Sequence, residues 1–340
     1  MKKIAFISMI IFLLAFKAAE KLFIYPVSWP KPNYNFTNNT LTEKKILLGR
    51  VLFYDPVLSK NSKISCASCH SQFSAFTHID HALSHGINDS IGTRNSPALM
   101  NLAWQKTFMW DGAINNLDVQ ALGPISHPAE MGSSINSVVE KLNNLKLYKK
   151  LFKDAFGDSA ATGERTLKAI SQFMLTLITS NSKYDKVMRK EDHFTEQEMN
   201  GYNLFKQNCS SCHKEPLFTT NEFANNGLVV DSLLIDIGKM KVTKNKNDSL
   251  KFKIPTLRNI EYTYPYMHDG RFKKLSQVID HYTKGIQKSV TLEPELQTPM
   301  QLTSNEKVDI IAFLMTLSDK EFIFNKKYSF PKEILITSGR

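Results

Sequence analysis

The chain has 340 residues, of which 42% are hydrophobic and 22% charged, which excludes a disordered polymer and leaves room for two domains of ordinary size. Its net charge of +11 serves solubility or the steering of an acidic redox partner, but the lysines are scattered apart from a modest cluster between Lys239 and Lys253. With no dominant basic block, nothing here points to a nucleic-acid partner.

The N-terminus reads Met1-Lys2-Lys3 followed by an apolar stretch from Ile4 to Phe16, too short for an ordinary membrane span. Residues 1–20 are therefore expected to be a signal peptide or an N-terminal anchor. The Ala18-Ala19 region matches a cleavage site poorly, so anchoring stays open, and either way the folded part is expected outside the cytoplasm, in the periplasm.

Two C-x-x-C-H runs follow, Cys66-Ala67-Ser68-Cys69-His70 and Cys209-Ser210-Ser211-Cys212-His213, and they use all four cysteines. This is the attachment signature of c-type haem: each thiol adds across a vinyl group, and the histidine supplies an axial imidazole. A lone C-x-x-C also reads as a redox disulfide or half a zinc site. Against that stand the second copy, the lack of any further cysteine, and the absence of a βαβ context. An exported chain with two covalently bound haem c groups is the expectation.

A faint repeat accompanies the two motifs. Gly49-Arg50-Val51-Leu52-Phe53 precedes the first and Gly201-Tyr202-Asn203-Leu204-Phe205 the second. Phe173-Met174-Leu175-Thr176-Leu177 and Phe313-Leu314-Met315-Thr316-Leu317 follow them. Ile170, Phe173, Met174, Leu177 and Ile178 share one helical face. Thr195 with Glu198, and Thr303 with Glu306, have capping-box spacing. The pattern predicts a mostly α protein with two cytochrome c-like domains, each a leading helix, a haem motif, long loops and a closing helix. The expected bounds are 31–185 and 186–330, with the boundary in the charged stretch from Ser182 to Phe194.

Between and after the motifs lie runs that helices do not need. They are Gly92-Thr93-Arg94-Asn95-Ser96-Pro97, Phe108-Met109-Trp110-Asp111-Gly112, Gln120-Ala121-Leu122-Gly123-Pro124 and His127-Pro128-Ala129-Glu130-Met131-Gly132. Later come Ile254-Pro255-Thr256-Leu257-Arg258-Asn259 and Thr263-Tyr264-Pro265-Tyr266-Met267-His268-Asp269-Gly270. In these motifs and their order, from about Leu41 to Leu317, the chain resembles the bacterial dihaem cytochrome c peroxidases and their relative MauG, which matures a tryptophan tryptophylquinone cofactor.

The resemblance implies roles at matching positions. His70 would be the proximal ligand of the haem that meets hydrogen peroxide, and His213 that of the electron-entry haem. Glu130 matches the distal glutamate, Gln120 a pocket glutamine, and Trp110 the tryptophan between the haems. Asn95, Thr263 and Pro265 match positions that hold Ca2+, which favours such oxygen ligands. Tyr282 falls where peroxidases of the family often carry an axial methionine and where MauG has tyrosine; a phenolate would lower the haem potential. Met267 and His281 are rival ligands there. His85 is a candidate sixth ligand of the first haem, with His78 and His81 in reach, and His268 is expected in the surroundings of the second.

On residue chemistry alone, Glu130 also reads as a helix-start carboxylate, Trp110 as a core aromatic, Gln120 as a surface amide and Tyr282 as a packed phenol. The expected activity is reduction of peroxide with electrons from a small cytochrome c or cupredoxin, and the resemblance hints at a homodimer. The rivals are a MauG-like oxidation of a partner protein and a dihaem electron carrier. Gln207 stands where MauG has its surface tryptophan, which counts against the first rival.

Overall fold

The computed structural model describes residues 22–336; the proposed leader or anchor, residues 1–20, lies outside them. Four helices frame the two halves: α1 (Glu43–Tyr54), α2 (Gly163–Leu175), α3 (Glu196–Asn208) and α4 (Ser304–Met315). Each begins at a threonine (Thr42, Thr162, Thr195 or Thr303) whose hydroxyl accepts a backbone N–H of the first turn. Strand is confined among the described residues to one short antiparallel pair, β1 (Phe223–Ala224) with β2 (Phe252–Lys253), and to isolated bridges. Among the described residues no helix is long and apolar enough to cross a membrane.

The faint sequence repeat is a structural one. Helix α1 crosses α2 at Gly49, where an added Cβ would lie 1.9 Å from the Ala169 carbonyl oxygen. Helix α3 crosses α4 at Gly201, with the Asp309 carbonyl oxygen also at 1.9 Å. Only a missing side chain permits backbones this close. The flanking aromatics repeat too: Phe53 meets Phe173 with centroids 5.2 Å apart, and Phe205 meets Phe313 at 5.0 Å. One apolar cluster gathers around Leu48, Phe53, Phe76 and Phe173, the other around Tyr184, Phe205, Phe218 and Phe313.

The loops repeat as well. Asn101 and Asn259 both sit at left-handed φ, +55° and +56°. Their backbone N–H groups donate to Leu177 and Leu317, the last residues of the two closing motifs. Met109 and Met267 are also left-handed, at +68° and +76°.

The first half of the charged stretch between the halves is docked, and residues 188–193 are exposed. The docked part folds as a short helix, Lys183–Met188, capped by Ser182. Asp185 on this helix takes both terminal nitrogens of Arg258 at 2.8 Å, and the Arg258 side chain is wholly buried. Arg258 Nε donates to the Pro216 carbonyl, and its guanidinium lies 4.6 Å from the Trp29 ring. Beyond α4 the chain returns to the first half, where Phe322, Ile323 and Leu335 join the first cluster.

Replacing Gly49 or Gly201 by alanine forces each helix pair apart. Overpacking of this kind costs about 1–3 kcal/mol, and the loss is expected as a lowered midpoint in thermal or denaturant unfolding of either variant.

Candidate haem pockets and distal site

The two C-x-x-C-H histidines are held alike. His70 Nδ1 lies 2.9 Å from the Phe76 carbonyl and also faces that of Pro97. His213 Nδ1 lies 3.2 Å from the carbonyls of Phe218 and Pro255. A carbonyl only accepts, so Nδ1 carries the proton and Nε2 is left with its lone pair for a metal. Burial pushes both imidazoles down to about 4, so each is neutral at physiological pH, as a ligand must be. Phe76 and Phe218 present their carbonyls from left-handed φ, +60° and +53°, a conformation uncommon for phenylalanine.

Cys66 and Cys69 share one helical turn, and no disulfide joins any of the four cysteines. Burial drives Cys66 and Cys209 up to about 12, far from the activated thiolate of a redox C-x-x-C. Among the described residues no three His, Cys, Asp or Glu side chains group to hold a metal ion. Paired thiols beside a neutral imidazole with a fixed tautomer fit a covalent haem.

Glu130 sits in the turn after the short helix Leu122–Ser126. Gly86 packs against this turn so tightly that a Cβ would lie 2.0 Å from the Ala129 carbonyl oxygen. Ile87 N–H donates to the Glu130 carbonyl at 2.8 Å, and the Cys69 thiol donates to the His85 carbonyl at 3.3 Å. The loop from His85 to Ile87 thus ties Glu130 to the first haem motif, and burial, helped by the Glu130 charge, raises the Cys69 pKa. Burial raises the pKa of Glu130 itself, opposed by His127, whose Nδ1 stands 3.7 Å from Oε1. His81 stacks on His85 with centroids 4.0 Å apart, and His78 stands 5.3 Å from His81.

Gln120 reaches Met109 Sδ at 3.6 Å. Next to Met109, Trp110 donates from Nε1 to the Asn95 carbonyl at 2.8 Å and accepts at its own carbonyl from Lys253 N–H at 2.8 Å. Asn95 N–H in turn donates to the His268 carbonyl at 2.7 Å, and Asn95 Nδ2 to the Ala82 carbonyl at 2.9 Å. Trp110 is therefore held by both halves. Thr263 and Pro265 lie on the loop that ends at His268, whose ring stacks on Phe252 at 3.7 Å.

In the second pocket the Asn226 amide faces both Met267 Sδ, at 3.5 Å, and the Tyr282 hydroxyl, at 3.4 Å. Burial, with Cys209 and Cys212 nearby, pushes the Tyr282 phenol up to about 12. His281, a rival ligand in the sequence, engages the Asn226 carbonyl through Nε2 at 3.0 Å. Asn226 carries no signal in the sequence. Its place follows from Gly227, at φ +71°, and from Asn225, which turns the loop by accepting the Gly227 N–H.

Residues 43–193 match the family model described as di-haem cytochrome c peroxidase, and residues 198–318 match that of cytochrome c. The chain is 35% identical to the methylamine utilization protein MauG of Methylorubrum extorquens, over 88% of this chain and 84% of that one. It is 36% identical to the cytochrome c551 peroxidase of Nitrosomonas europaea, over 80% and 79%. The crystal structure of a MauG-like protein associated with microbial copper homeostasis is 31% identical and superposes with a TM-score of 0.80, covering 90% of this chain and 98% of that one. With its two haem motifs held in duplicate frames, the chain belongs to the di-haem cytochrome c peroxidase and MauG family, oxidoreductases of the peroxidase type that carry two c-type haems.

Proposed function

We propose that this chain is an exported, periplasmic cytochrome c peroxidase that reduces hydrogen peroxide to two waters, consuming two protons and two electrons from a small cytochrome c or cupredoxin. When bound, the haem on His70 supplies O–O cleavage and the haem on His213 stores and delivers an electron. The protein's share is proton transfer, ligation and alignment.

The observation that carries this reading is Glu130: a partly buried carboxyl, raised in pKa, whose backbone is tied to the first haem motif and whose charge reaches Cys69. Such a group takes the proton from one peroxide oxygen and hands it to the leaving one. Gln120 orients the same pocket through its contact beside Trp110. Trp110, bonded to both halves, is the side chain that connects the two haems. His85, on the loop tied to Cys69, would be a removable ligand of the first haem. A calcium ion held by Asn95, Thr263 and Pro265 would brace the junction, since amide and carbonyl oxygens suit that cation.

Tyr282 favours a second reading, a MauG-like oxidation of a partner protein. A buried phenol beside Cys209 and Cys212 is well placed to ligate the second iron. Steady oxidation of a reduced cytochrome by peroxide supports the peroxidase. A long-lived oxidised state without a donor, discharged by a protein partner, supports the rival.

Two variants test the assignments. Glu130→Gln is expected to lower peroxide turnover by about 10²-fold or more with both haems still attached, as removal of a positioned acid–base group does. Turnover near the wild-type rate would sink the acid–base role. The same variant is expected to be the more stable protein at neutral pH. The raised pKa means that the folded state binds the Glu130 proton more tightly than the unfolded one. That stability is present below the ordinary carboxyl range and is lost as pH rises through the raised value, so the two unfolding curves should converge in acid.

Tyr282→Phe is expected to change the electron paramagnetic resonance signal of the second ferric haem and to raise its potential. An unchanged spectrum would remove the phenol from the coordination shell.

A further inference from the structure

Lys253 is 8% exposed, yet it forms no salt bridge among the described residues. Its ammonium donates to the Thr107 carbonyl and to Gln105 Oε1 at 3.2 Å, and stands 5.5 Å from the centre of the Phe108 ring. The carboxylate whose field reaches it, Asp111, is already bonded to Arg94 at 2.7 Å. Arg94 also takes Asp236 at 2.6 Å, so that acid is committed as well. Burial drags the Lys253 pKa down to about 7. Two neutral acceptors and a ring face are poor compensation for a desolvated cation.

The location suggests the missing partner. Lys253 N–H donates to the Trp110 carbonyl, and two residues later the Pro255 carbonyl faces His213 Nδ1. The Lys253 backbone thus links the tryptophan loop to the mount of His213, while its side chain crosses to Gln105, Thr107 and Phe108 of the first half. Each haem brings two propionates, anions that would give a buried ammonium the charge its neutral acceptors lack.

We propose that Lys253 is the counter-ion of a haem propionate at the junction of the two halves, and so a residue that sets the potential of that haem. This rests on the two covalent haems of the family reading. Loss of the cation leaves the carboxylate uncompensated and favours ferric iron, which lowers the midpoint potential.

The test uses the full-length holoprotein made in a cytochrome-maturing host. Spectroelectrochemical titration follows both haems in wild type, Lys253→Met, Lys253→Gln and Lys253→Arg. In the Met and Gln variants one haem is expected to shift toward lower potential by about tenfold in its oxidised-to-reduced ratio, which is about 59 mV for one electron. The Arg variant should restore it. Gln keeps a donor for the Thr107 carbonyl, so it reports the charge even where Met disturbs folding. Potentials unchanged in the Met or Gln variant would overturn the inference, and so would a shift that Arg fails to rescue. Failure of the underlying reading looks different: intact-mass measurement of the wild type would show fewer than two added porphyrins.

Discussion

The junction of the halves depends on a reciprocal pair of backbone hydrogen bonds. Asn95 of the first half donates to His268 of the second, at 2.7 Å, and Lys253 of the second donates to Trp110 of the first, at 2.8 Å. The two donors each stand two residues before a proline, Pro97 or Pro255, whose carbonyl orients a proximal histidine. A displacement of one half against the other would therefore strain both histidine mounts and the tryptophan loop together. Arg94 adds charge to this lock by bridging Asp111 and Asp236, and its guanidinium lies 5.7 Å from the Phe252 ring beside His268. Electron exchange between two fixed irons needs such a rigid spacing.

Much of this was legible in the letters, for identifiable reasons. Haem attachment fixes cysteine and histidine identity, so C-x-x-C-H is readable at once. The helix crossings tolerate only glycine against a carbonyl, so Gly49 and Gly201 anchor the recognisable repeat. The loop repeat is less visible because backbone shape, not side-chain chemistry, is what it preserves. Ser96-Pro97-Ala98-Leu99-Met100-Asn101 and Ile254-Pro255-Thr256-Leu257-Arg258-Asn259 keep the proline and the left-handed asparagine and change most of what lies between.

Long-range partners were hidden for a different reason. Asp185 and Arg258 are 73 residues apart in the chain, and nothing local in either segment announces a buried ion pair. Read in sequence, Asp185 is one charge among many in a hydrophilic stretch, and Lys253 is one lysine in a basic cluster. Tertiary burial separates them from their neighbours. Exposed lysines nearby cost nothing to solvate, whereas Lys253 has lost water and gained only neutral acceptors. Asn226 is equally silent until the turn at Gly227 brings it to Met267 and Tyr282.

A duplicated frame with unlike contents explains how one chain can divide two tasks. At equivalent places, Phe108-Met109-Trp110-Asp111-Gly112 faces Tyr266-Met267-His268-Asp269-Gly270, and both methionines touch an amide, Gln120 in one pocket and Asn226 in the other. The pockets then part. The first presents the Glu130 carboxyl, whose pKa burial raises. The second presents a phenol pushed up to about 12, which is useless for proton exchange at physiological pH. On the proposed reading it would serve as a ligand, because a cationic metal centre stabilises the phenolate that burial alone disfavours. On that reading the duplicated loops deliver a different acid to each pocket, one suited to exchanging a proton and the other to ligating iron.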